Sequence, residues 1–346
     1  MTPEYPERVE LARTPTPIQP LNRLSEKLKG PQIYIKRDDL TGSGLSGNKV
    51  RKLEFVLSEA LDRGADTVIT CGGIGSNHAR ATAVAARQLG LKPVLVLRGK
   101  PGRYPDGNLL LDSLLGAELH FISRADYASA RQDIMYSLAH RFEKQGRRAY
   151  VIPEGASFDT GVWGYVKAFF EILEQSQQGR FNFDAIVTAV GSGGTQAGLL
   201  VGKKLSNWSG EIWGINVCDD EAYFQERIES ILSDFSRKYR TPISVRRQEI
   251  RLIDGYVGRG YALSRPEELS VIQEVARLEG IFLDPTYTGK AMFGLMDQIQ
   301  KGRFQKGQRI LFVHTGGLFG LFPKRAMFFG GPDAPEFPEE GQQDPH

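Results

Sequence analysis

Short runs of β-branched and other apolar residues alternate along the chain with stretches in which apolar residues recur every three or four positions. The runs are almost continuously hydrophobic, which is typical of strands covered on both faces. They predict strands at 33–36, 67–71, 93–98, 118–122, 149–153, 185–190, 212–217 and 309–314. The helical patterns between them include residues 49–63, where Gly64 ends the helix. This alternation predicts an α/β protein with parallel sheets flanked by helices.

Length suggests how the chain is divided. A chain of 346 residues is long enough for two domains, and 40% hydrophobic with 25% charged residues is normal for a globular protein. We predict that residues 52–160 form a small α/β domain inserted into a large domain of residues 1–51 and 161–330. The binding site is expected in the cleft between them. Residues 331–346 are polar and rich in Pro and Gly, which predicts a disordered tail.

Charge and cysteine content argue against several partners. The 44 basic and 41 acidic residues are scattered, so nucleic acid is not an expected partner. The first residues lack the apolar stretch of a signal peptide, and no run approaches the ~20 apolar residues that cross a bilayer. We therefore expect a cytoplasmic protein with no membrane partner. Cys71 and Cys218 lie in apolar runs, which favours free thiols over a disulfide. No metal site is expected, because the histidines lack cysteines at ligand spacing.

A glycine-rich turn follows the predicted strand at 185–190. It consists of Gly191, Ser192, Gly193, Gly194 and Thr195. Backbone amides at the start of the helix that follows would point outward and suit a phosphate. The turn is not a dinucleotide fingerprint, which would need glycine in place of Gln196. The alternative is a tight turn that uses glycine only for its backbone conformation.

A second glycine-rich segment precedes Lys49. Gly42 and Gly47 have the spacing of a P-loop, but Asn48 stands where that motif has lysine, so a P-loop is excluded. Lys49 would lie at the positive end of a helix dipole. That position lowers the pKa of an amine and suits a Schiff-base nucleophile. The alternative is a solvated lysine at a helix start.

Ser76, Asn77 and His78 follow the predicted strand at 67–71. Their hydroxyl, amide and imidazole groups, together with a helix N-terminus, suit a carboxylate. The alternative is that Ser76 only caps the helix. The segment lacks the G-x-S-x-G elbow of serine hydrolases.

Further hydroxyl groups stand beside glycines near the C-terminus. Thr315 follows the predicted strand at 309–314 and would lie at the carboxyl end of a sheet. Tyr261, Tyr287 and Thr288 lie in glycine-containing segments. These residues could be walls of a site or exposed loop residues, and composition does not decide between the two.

The five segments SGNKVRKLEF, GGIGSNHAR, TAVGSGGTQAG, EGIFLDPTYTGKAM and LFVHTGG resemble one family in their order and spacing. That family comprises the D-cysteine desulfhydrases and 1-aminocyclopropane-1-carboxylate (ACC) deaminases, and the similarity covers about residues 14–325. The resemblance implies the two-domain, tryptophan-synthase-β-like fold (fold type II) of pyridoxal-phosphate (PLP) enzymes. It also implies a small amino-acid substrate and a homodimer.

The resemblance implies roles toward the cofactor. Lys49 would be the Schiff-base lysine, and the turn at 191–195 would bind the phosphate. Asn77 would donate to the phenolic oxygen and adjoin the substrate. Thr315 would meet the pyridine nitrogen.

It also implies roles toward the substrate. Ser76 and His78 would face its carboxylate, while Tyr261 and Tyr287 would flank the substrate or the cofactor ring. The base that removes the α-proton would be Lys49, Ser76 or Tyr287.

Residue 288 separates the two activities of the family. ACC deaminases carry a glutamate after the tyrosine that corresponds to Tyr287, and a carboxylate there can pair with a protonated pyridine nitrogen. Here the residue is Thr288, whose hydroxyl leaves the nitrogen neutral and the electron sink milder. The resemblance therefore favours a D-cysteine desulfhydrase, which produces pyruvate, hydrogen sulfide and ammonia.

Three alternatives remain at this point. The first is ACC deaminase. The second is a β-eliminating enzyme, such as a sulfo-lyase, for another amino acid. It is kept open by Gly75, where the family usually has Gln, and by Glu154, where relatives often have a small or apolar residue. The third is a protein that binds PLP or an amino acid without turnover, which retention of Lys49 argues against.

Overall fold

The computed structural model describes residues 3–329, so the predicted tail at 331–346 lies outside the described residues. The strands are β1 Ile18–Pro20, β2 Gln32–Lys36, β3 Thr67–Gly73, β4 Lys92–Arg98, β5 Glu118–Ile122, β6 Ala149–Val151, β7 Ala185–Val190, β8 Glu211–Asn216, β9 Arg251–Ile253 and β10 Arg309–Val313. The helices are α1 Asn22–Leu28, α2 Lys49–Asp62, α3 Asn77–Gln88, α4 Asn108–Leu114, α5 Arg124–Glu143, α6 Asp159–Gln178, α7 Gly194–Ser206, α8 Glu221–Tyr239, α9 Pro266–Glu279, α10 Thr288–Gln300 and α11 Arg325–Phe329.

Every predicted strand is present, with ends shifted by about one or two residues. Strands β1 and β9 were missed. Each has three residues, too few to show a periodicity, and each lies at an edge of its sheet. Pro20 is tolerated in β1 because an edge strand need not donate all its amides.

The larger sheet has six strands in the order β1-β2-β10-β7-β8-β9. Only β1 is antiparallel to its neighbour. Successive residues of β7 point to opposite faces: Val187 packs in a core that contains α9 and α10, and Ile186 in a core that contains α6, α7 and α8. Because both faces are covered, the strands are hydrophobic throughout. The predicted α/β class with parallel sheets flanked by helices is confirmed.

The smaller sheet has four parallel strands in the order β5-β4-β3-β6. Helix α5 covers one face, where Ile69 is buried, and α2 and α3 cover the other, where Val68 is buried. The predicted domain boundaries at 51/52 and 160/161 fall inside α2 and α6. We propose instead that the two domains follow the two sheets. Within residues 3–329, no helix has the length and apolar character needed to cross a membrane.

Buried ion pairs fix helix α2, which begins at Lys49. The Arg51 guanidinium donates to both carboxylate oxygens of Asp38, at 2.9 and 2.8 Å, and to Glu171 on α6. Lys36 of β2 pairs with the same Glu171. Removing one partner of such a buried pair costs about 3–5 kcal/mol, because the other charge is left uncompensated. The start of α2 is therefore held rigidly against the larger sheet.

Candidate active site

The carboxyl ends of parallel strands from both sheets border one cavity of about 540 Å³. The predicted site residues that line it are Lys49, Ser76, Asn77, His78, Gly191, Ser192, Gly193, Thr195, Tyr261, Tyr287 and Thr315. Two predicted residues, Gly194 and Thr288, do not line it. The tertiary structure thus brings together segments that are far apart in the sequence, at the sheet edge where α/β proteins bind ligands.

Lys49 is the first residue of α2 and lines the cavity. Within the described part of the chain, its amine makes no hydrogen bond or salt bridge. Burial lowers the pKa of this amine from 10.5 to about 8, against the opposing effect of the Glu154 carboxylate. At pH 7 roughly a tenth of Lys49 is therefore an uncharged, nucleophilic amine, far more than for an exposed lysine.

The turn at 191–195 has the geometry of an anion site. Gly193 has φ of +80°, which favours glycine, and caps the N-terminus of α7. Gly191 lies against Tyr287, and a Cβ there would be 2.7 Å from Cε1 of that ring. Asn48 donates to Thr195 Oγ1 at 3.0 Å, which leaves the Thr195 hydroxyl proton free to donate. The first amides of α7 have no acceptor within the helix.

Lys52 is a site residue that sequence reasoning missed. It is fully buried, and its amine bonds only to Ser157 Oγ at 3.1 Å and Gly155 O at 3.3 Å among the described residues. Burial lowers its pKa well below the usual value, and the charge of Lys49 lowers it further. A Cβ on Gly194 would be 2.9 Å from Lys52 Nζ, so the absence of a side chain at Gly194 lets this amine lie against the turn. The signal was present: Lys52 follows Lys49 by three residues, on the same helix face.

Ser76 and His78 each make a hydrogen bond within the protein. Ser76 caps α3, accepting from the Ala79 amide at 3.1 Å, but its hydroxyl proton stays available. His78 is buried, and its Nε2 lies 2.8 Å from Thr70 Oγ1. Because Thr70 donates to the Ile152 carbonyl, His78 Nε2 must be the donor to Thr70.

Burial also lowers the pKa of His78 well below 6.5, so the ring is neutral and has one N–H group. His78 donates that N–H group to Thr70. The hydrogen bond to Thr70 gives no support to the prediction that the His78 imidazole donates to a substrate carboxylate. Its place at the start of α3 leaves its backbone amide for that purpose.

Tyr261 and Tyr287 share a hydrogen bond of 2.9 Å between their hydroxyl groups. Burial raises the pKa of Tyr261 to about 12 and that of Tyr287 well above 10, so both phenols keep their protons. Lys290 holds the loop before Tyr261, donating to the carbonyls of Val257 at 2.7 Å and Gly260 at 2.8 Å. The pair is therefore a fixed source of one phenolic proton.

Thr288 is turned away from the cavity. Its hydroxyl donates to Asp284 Oδ1 at 2.8 Å and accepts from the Asp284 amide at 2.7 Å, and the residue is fully buried. The prediction that Thr288 contacts a cofactor is not supported by this geometry. Thr315, at the end of β10, is the residue of this region whose side chain borders the cavity. The Asp284 carboxylate lies beside Thr288, but it accepts hydrogen bonds from the Thr286 and Thr288 amides of its own loop.

Arg98, Tyr127 and Glu154 form a wall that the sequence did not reveal as a unit. The Arg98 guanidinium carbon lies 4.7 Å from the centre of the Tyr261 ring and 4.9 Å from that of Tyr127. Tyr127 donates to Glu154 at 2.7 Å. Arg98 ends a strand, Tyr127 lies in α5 and Glu154 follows β6, and none belongs to a motif, so only their position could identify them. Arg98 ends β4 and lies beside β3, which leads to Ser76.

Comparison with known proteins gives the class of this protein. A family model described as pyridoxal-phosphate dependent enzyme matches residues 9–316. The chain therefore belongs to the family of PLP-dependent enzymes, and its cofactor is PLP, as the resemblance predicted.

Individual relatives narrow the group. A Thermotoga maritima protein whose name provisionally assigns it as a 1-aminocyclopropane-1-carboxylate deaminase is 46% identical over 91% of this chain and 97% of its own. The mitochondrial bifunctional D-cysteine desulfhydrase/1-aminocyclopropane-1-carboxylate deaminase of Arabidopsis thaliana is 44% identical over 91% of this chain and 79% of its own. A crystal structure described as an ACC deaminase homologue is 40% identical, with a TM-score of 0.85 over 94% of this chain and 96% of the other. The predicted family and the fold of type II are confirmed.

The residues present fit the cofactor. Lys52 is a buried amine without a carboxylate partner among the described residues, and a phosphate bound at the neighbouring helix N-terminus would favour its protonated form. Lys52 does not line the cavity, but Lys49, one turn earlier on α2, offers an unpaired amine that does. We therefore propose that the phosphate binds at the turn 191–195 and that the cofactor attaches covalently at Lys49.

The rate of PLP attachment to the apoprotein is expected to rise with pH to about 8 and to level off above it. Only the neutral amine attacks, and burial lowers the pKa of Lys49 to about 8. Stopped-flow absorbance measures this rate. In Glu154→Gln the midpoint should move to lower pH, because the lost carboxylate raised that pKa. A midpoint near 10.5 would contradict the burial of Lys49.

Proposed function

We propose that the protein is a PLP-dependent lyase that converts D-cysteine and water into pyruvate, hydrogen sulfide and ammonia. One observation supports this choice over ring opening. At the end of β10 the cavity wall offers the Thr315 hydroxyl, and the carboxylates that border the cavity, Glu154 and Asp219, come from other elements. A hydroxyl partner suits a neutral pyridine nitrogen, which is sufficient when the substrate has a good leaving group at Cβ.

The residues have distinct roles in binding. PLP, when bound, supplies the electron sink that takes up the electron pair left at Cα. Lys52 and the turn 191–195 hold its phosphate, and Asn77 donates to its phenolic oxygen. The Ser76 hydroxyl and the free amides at the start of α3 bind the substrate carboxylate. Tyr287 stands between the turn and Tyr261, so the phenol pair borders the substrate.

Lys49 is the group that removes the α-proton in this proposal. Its pKa near 8 leaves a neutral amine available once substrate has displaced it. Tyr287 is a poorer base, because burial keeps its proton bound. Ser76 already accepts a hydrogen bond from Ala79 through its oxygen. The Tyr261–Tyr287 pair instead holds a proton that it can donate.

ACC deaminase is the second candidate. It is favoured by the names of the Thermotoga and Arabidopsis relatives, and the Arabidopsis protein is named for both activities. A sulfo-lyase or other β-eliminating enzyme is the third candidate, since a Cβ at Gly75 would meet nothing within 4 Å and the side chain that relatives carry there is missing. A binding protein without turnover would not need the reactive amine of Lys49. Homodimerisation and a cytoplasmic location stay predictions.

The test is turnover by the purified holoenzyme. D-cysteine, L-cysteine, β-chloro-D-alanine and ACC are supplied in turn, with pyruvate measured for the first three and 2-oxobutyrate for ACC. We expect pyruvate from D-cysteine and β-chloro-D-alanine and little product from L-cysteine or ACC. Rapid release of 2-oxobutyrate would establish the second candidate. A PLP-loaded protein that turns over none of the four would refute the proposal.

A further inference from the structure

A buried hydrogen-bond chain lies behind the cavity and ends at Asn77. Asn108, on α4, donates from Nδ2 to Asn77 Oδ1 at 2.9 Å and to the Gly75 carbonyl at 2.8 Å. Its own oxygen accepts from Arg80 Nε at 3.2 Å. Arg80 and Asn108 are both almost completely buried. Neither residue borders the cavity, and Asn108 is separated from Asn77 by 31 positions in the chain.

Arg80 itself cannot turn. Its terminal nitrogens donate to the carbonyls of Gly44 at 2.6 Å and Ser46 at 2.9 Å, in the loop that leads to Lys49. The ring of Phe319 lies against its guanidinium, 5.2 Å from centre to centre. These contacts leave Nε directed at Asn108, so the first link of the chain has a fixed position.

The chemistry of the groups sets the direction of every bond. A guanidinium group only donates, so the atom of Asn108 that faces Arg80 must be the oxygen. The nitrogen of Asn108 must then face Asn77, and the atom of Asn77 that receives its proton must be Oδ1. The Asn77 amide nitrogen is left to face the other way. It lies beside Gly317, where a Cβ would be 3.1 Å from it, and it has no hydrogen-bond partner among the described residues.

We propose that Asn108 is a positioning residue that makes Asn77 present its N–H, and not its carbonyl, to the phenolic oxygen of PLP. The proposal rests on the cofactor placement given above. Without Asn108, either face of the Asn77 amide could point into the cavity, because the two ends of an amide have nearly the same shape. The Arg80 guanidinium thus fixes the orientation of Asn108, and Asn108 fixes the orientation of the Asn77 amide.

The consequence is a shift in the titration of the bound cofactor. A hydrogen bond donated to the phenolic oxygen stabilises its negative charge and lowers the affinity of the lysine-bound cofactor for its proton. An inverted Asn77 would place a carbonyl oxygen there and raise that affinity. The apparent pKa of the visible absorbance band therefore reports the orientation of Asn77.

The experiment is a pH titration of that band in Asn108→Asp. This change keeps the size of the side chain and an oxygen acceptor for Arg80. It removes the N–H groups that donate to Asn77 Oδ1 and to the Gly75 carbonyl. The new carboxylate would draw the Asn77 amide nitrogen toward itself. We expect the apparent pKa to rise by about one unit. Asn77→Ala should also raise it, and the double variant should add nothing to the larger single effect.

Two controls separate this effect from damage to α4 or from nearby charges. Ser113→Ala removes a side-chain bond to the Leu109 carbonyl on the same helix and should leave the titration unchanged. Asp112 is buried beside Arg80 with a pKa raised to about 7, so Asp112→Asn shows whether its own proton contributes to the titration.

A wild-type apparent pKa in Asn108→Asp with PLP bound would overturn the proposal. If that variant does not fold, Asn108→Ser breaks the same chain without a new charge, and the same shift or its absence decides. Failure of the proposed function would give a different result. Wild-type protein would then take up PLP but turn over no substrate, and the titration test could still be carried out and interpreted.

Discussion

Lys49→Ala is expected to remove both the visible absorbance band of the lysine-bound cofactor and the lyase activity. The methyl group cannot attach PLP covalently, and the proposed base for the α-proton is lost with it. A positioned acid or base alone contributes roughly 10²–10⁴-fold. We expect activity to fall by at least about 10³-fold when both roles are lost. The absorbance spectrum and pyruvate release from D-cysteine measure the two effects independently.

Two further variants make this test specific. Lys49→Arg keeps a cation at the start of α2 but not a titratable amine, so it should also lack the band. Lys27→Ala removes an exposed lysine that pairs with Glu274 on another helix, and should retain both the band and turnover. An intact band in Lys49→Ala would show that PLP attaches at another lysine and would refute the assignment of Lys49.

Lys52→Met is expected to have opposite effects on the apoprotein and on cofactor binding. Without a phosphate, Lys52 is a buried amine held only by neutral groups, and burial lowers its pKa well below 10.5. An apolar side chain of similar length should therefore leave the apoprotein as stable or more stable. The same change removes a charge-assisted hydrogen bond to the phosphate, worth about 1.5–3 kcal/mol. Affinity for PLP should fall by roughly 10- to 100-fold.

Pyridoxal without the phosphate is the matched control for this prediction. It should bind wild type and Lys52→Met equally, because the lost contact is to the phosphate alone. Thermal unfolding of the two apoproteins measures the stability effect. Equal affinity of both proteins for PLP would contradict the role of Lys52. A lower melting temperature in apo Lys52→Met would show instead that the ammonium group serves the fold.

Most of the fold could be predicted from sequence because parallel strands covered on both faces must be apolar at successive positions. Runs such as AIVTAV, which forms β7, could therefore be predicted as strands from the sequence. The edge strands β1 and β9 could not be found this way, because three residues hold too little pattern. The predicted domain boundaries fall within α2 and α6, since a helix that packs on both units shows no break in its periodicity, and they stay predictions.

For the site, the sequence by itself determined which segments meet, because glycine and hydroxyl residues that follow parallel strands must gather at the carboxyl edges of the sheets. Ser76, the turn 191–195 and Thr315 were found by that rule, and all of them except Gly194 border the cavity. Only the tertiary structure decided where individual side chains point. In the folded protein the Thr288 side chain points into the Asp284 loop, and the His78 ring points toward Thr70.

The tertiary structure also decided which groups are charged and which amide faces the cavity. Lys52 lacks a counter-ion because of what packs around it, and Asn77 has its orientation because Arg80 and Asn108 lie behind it. The physical reason is common to these cases. Burial and hydrogen-bond partners come from segments far away in the chain, and they set the pKa and direction of a side chain that its neighbours in sequence leave free.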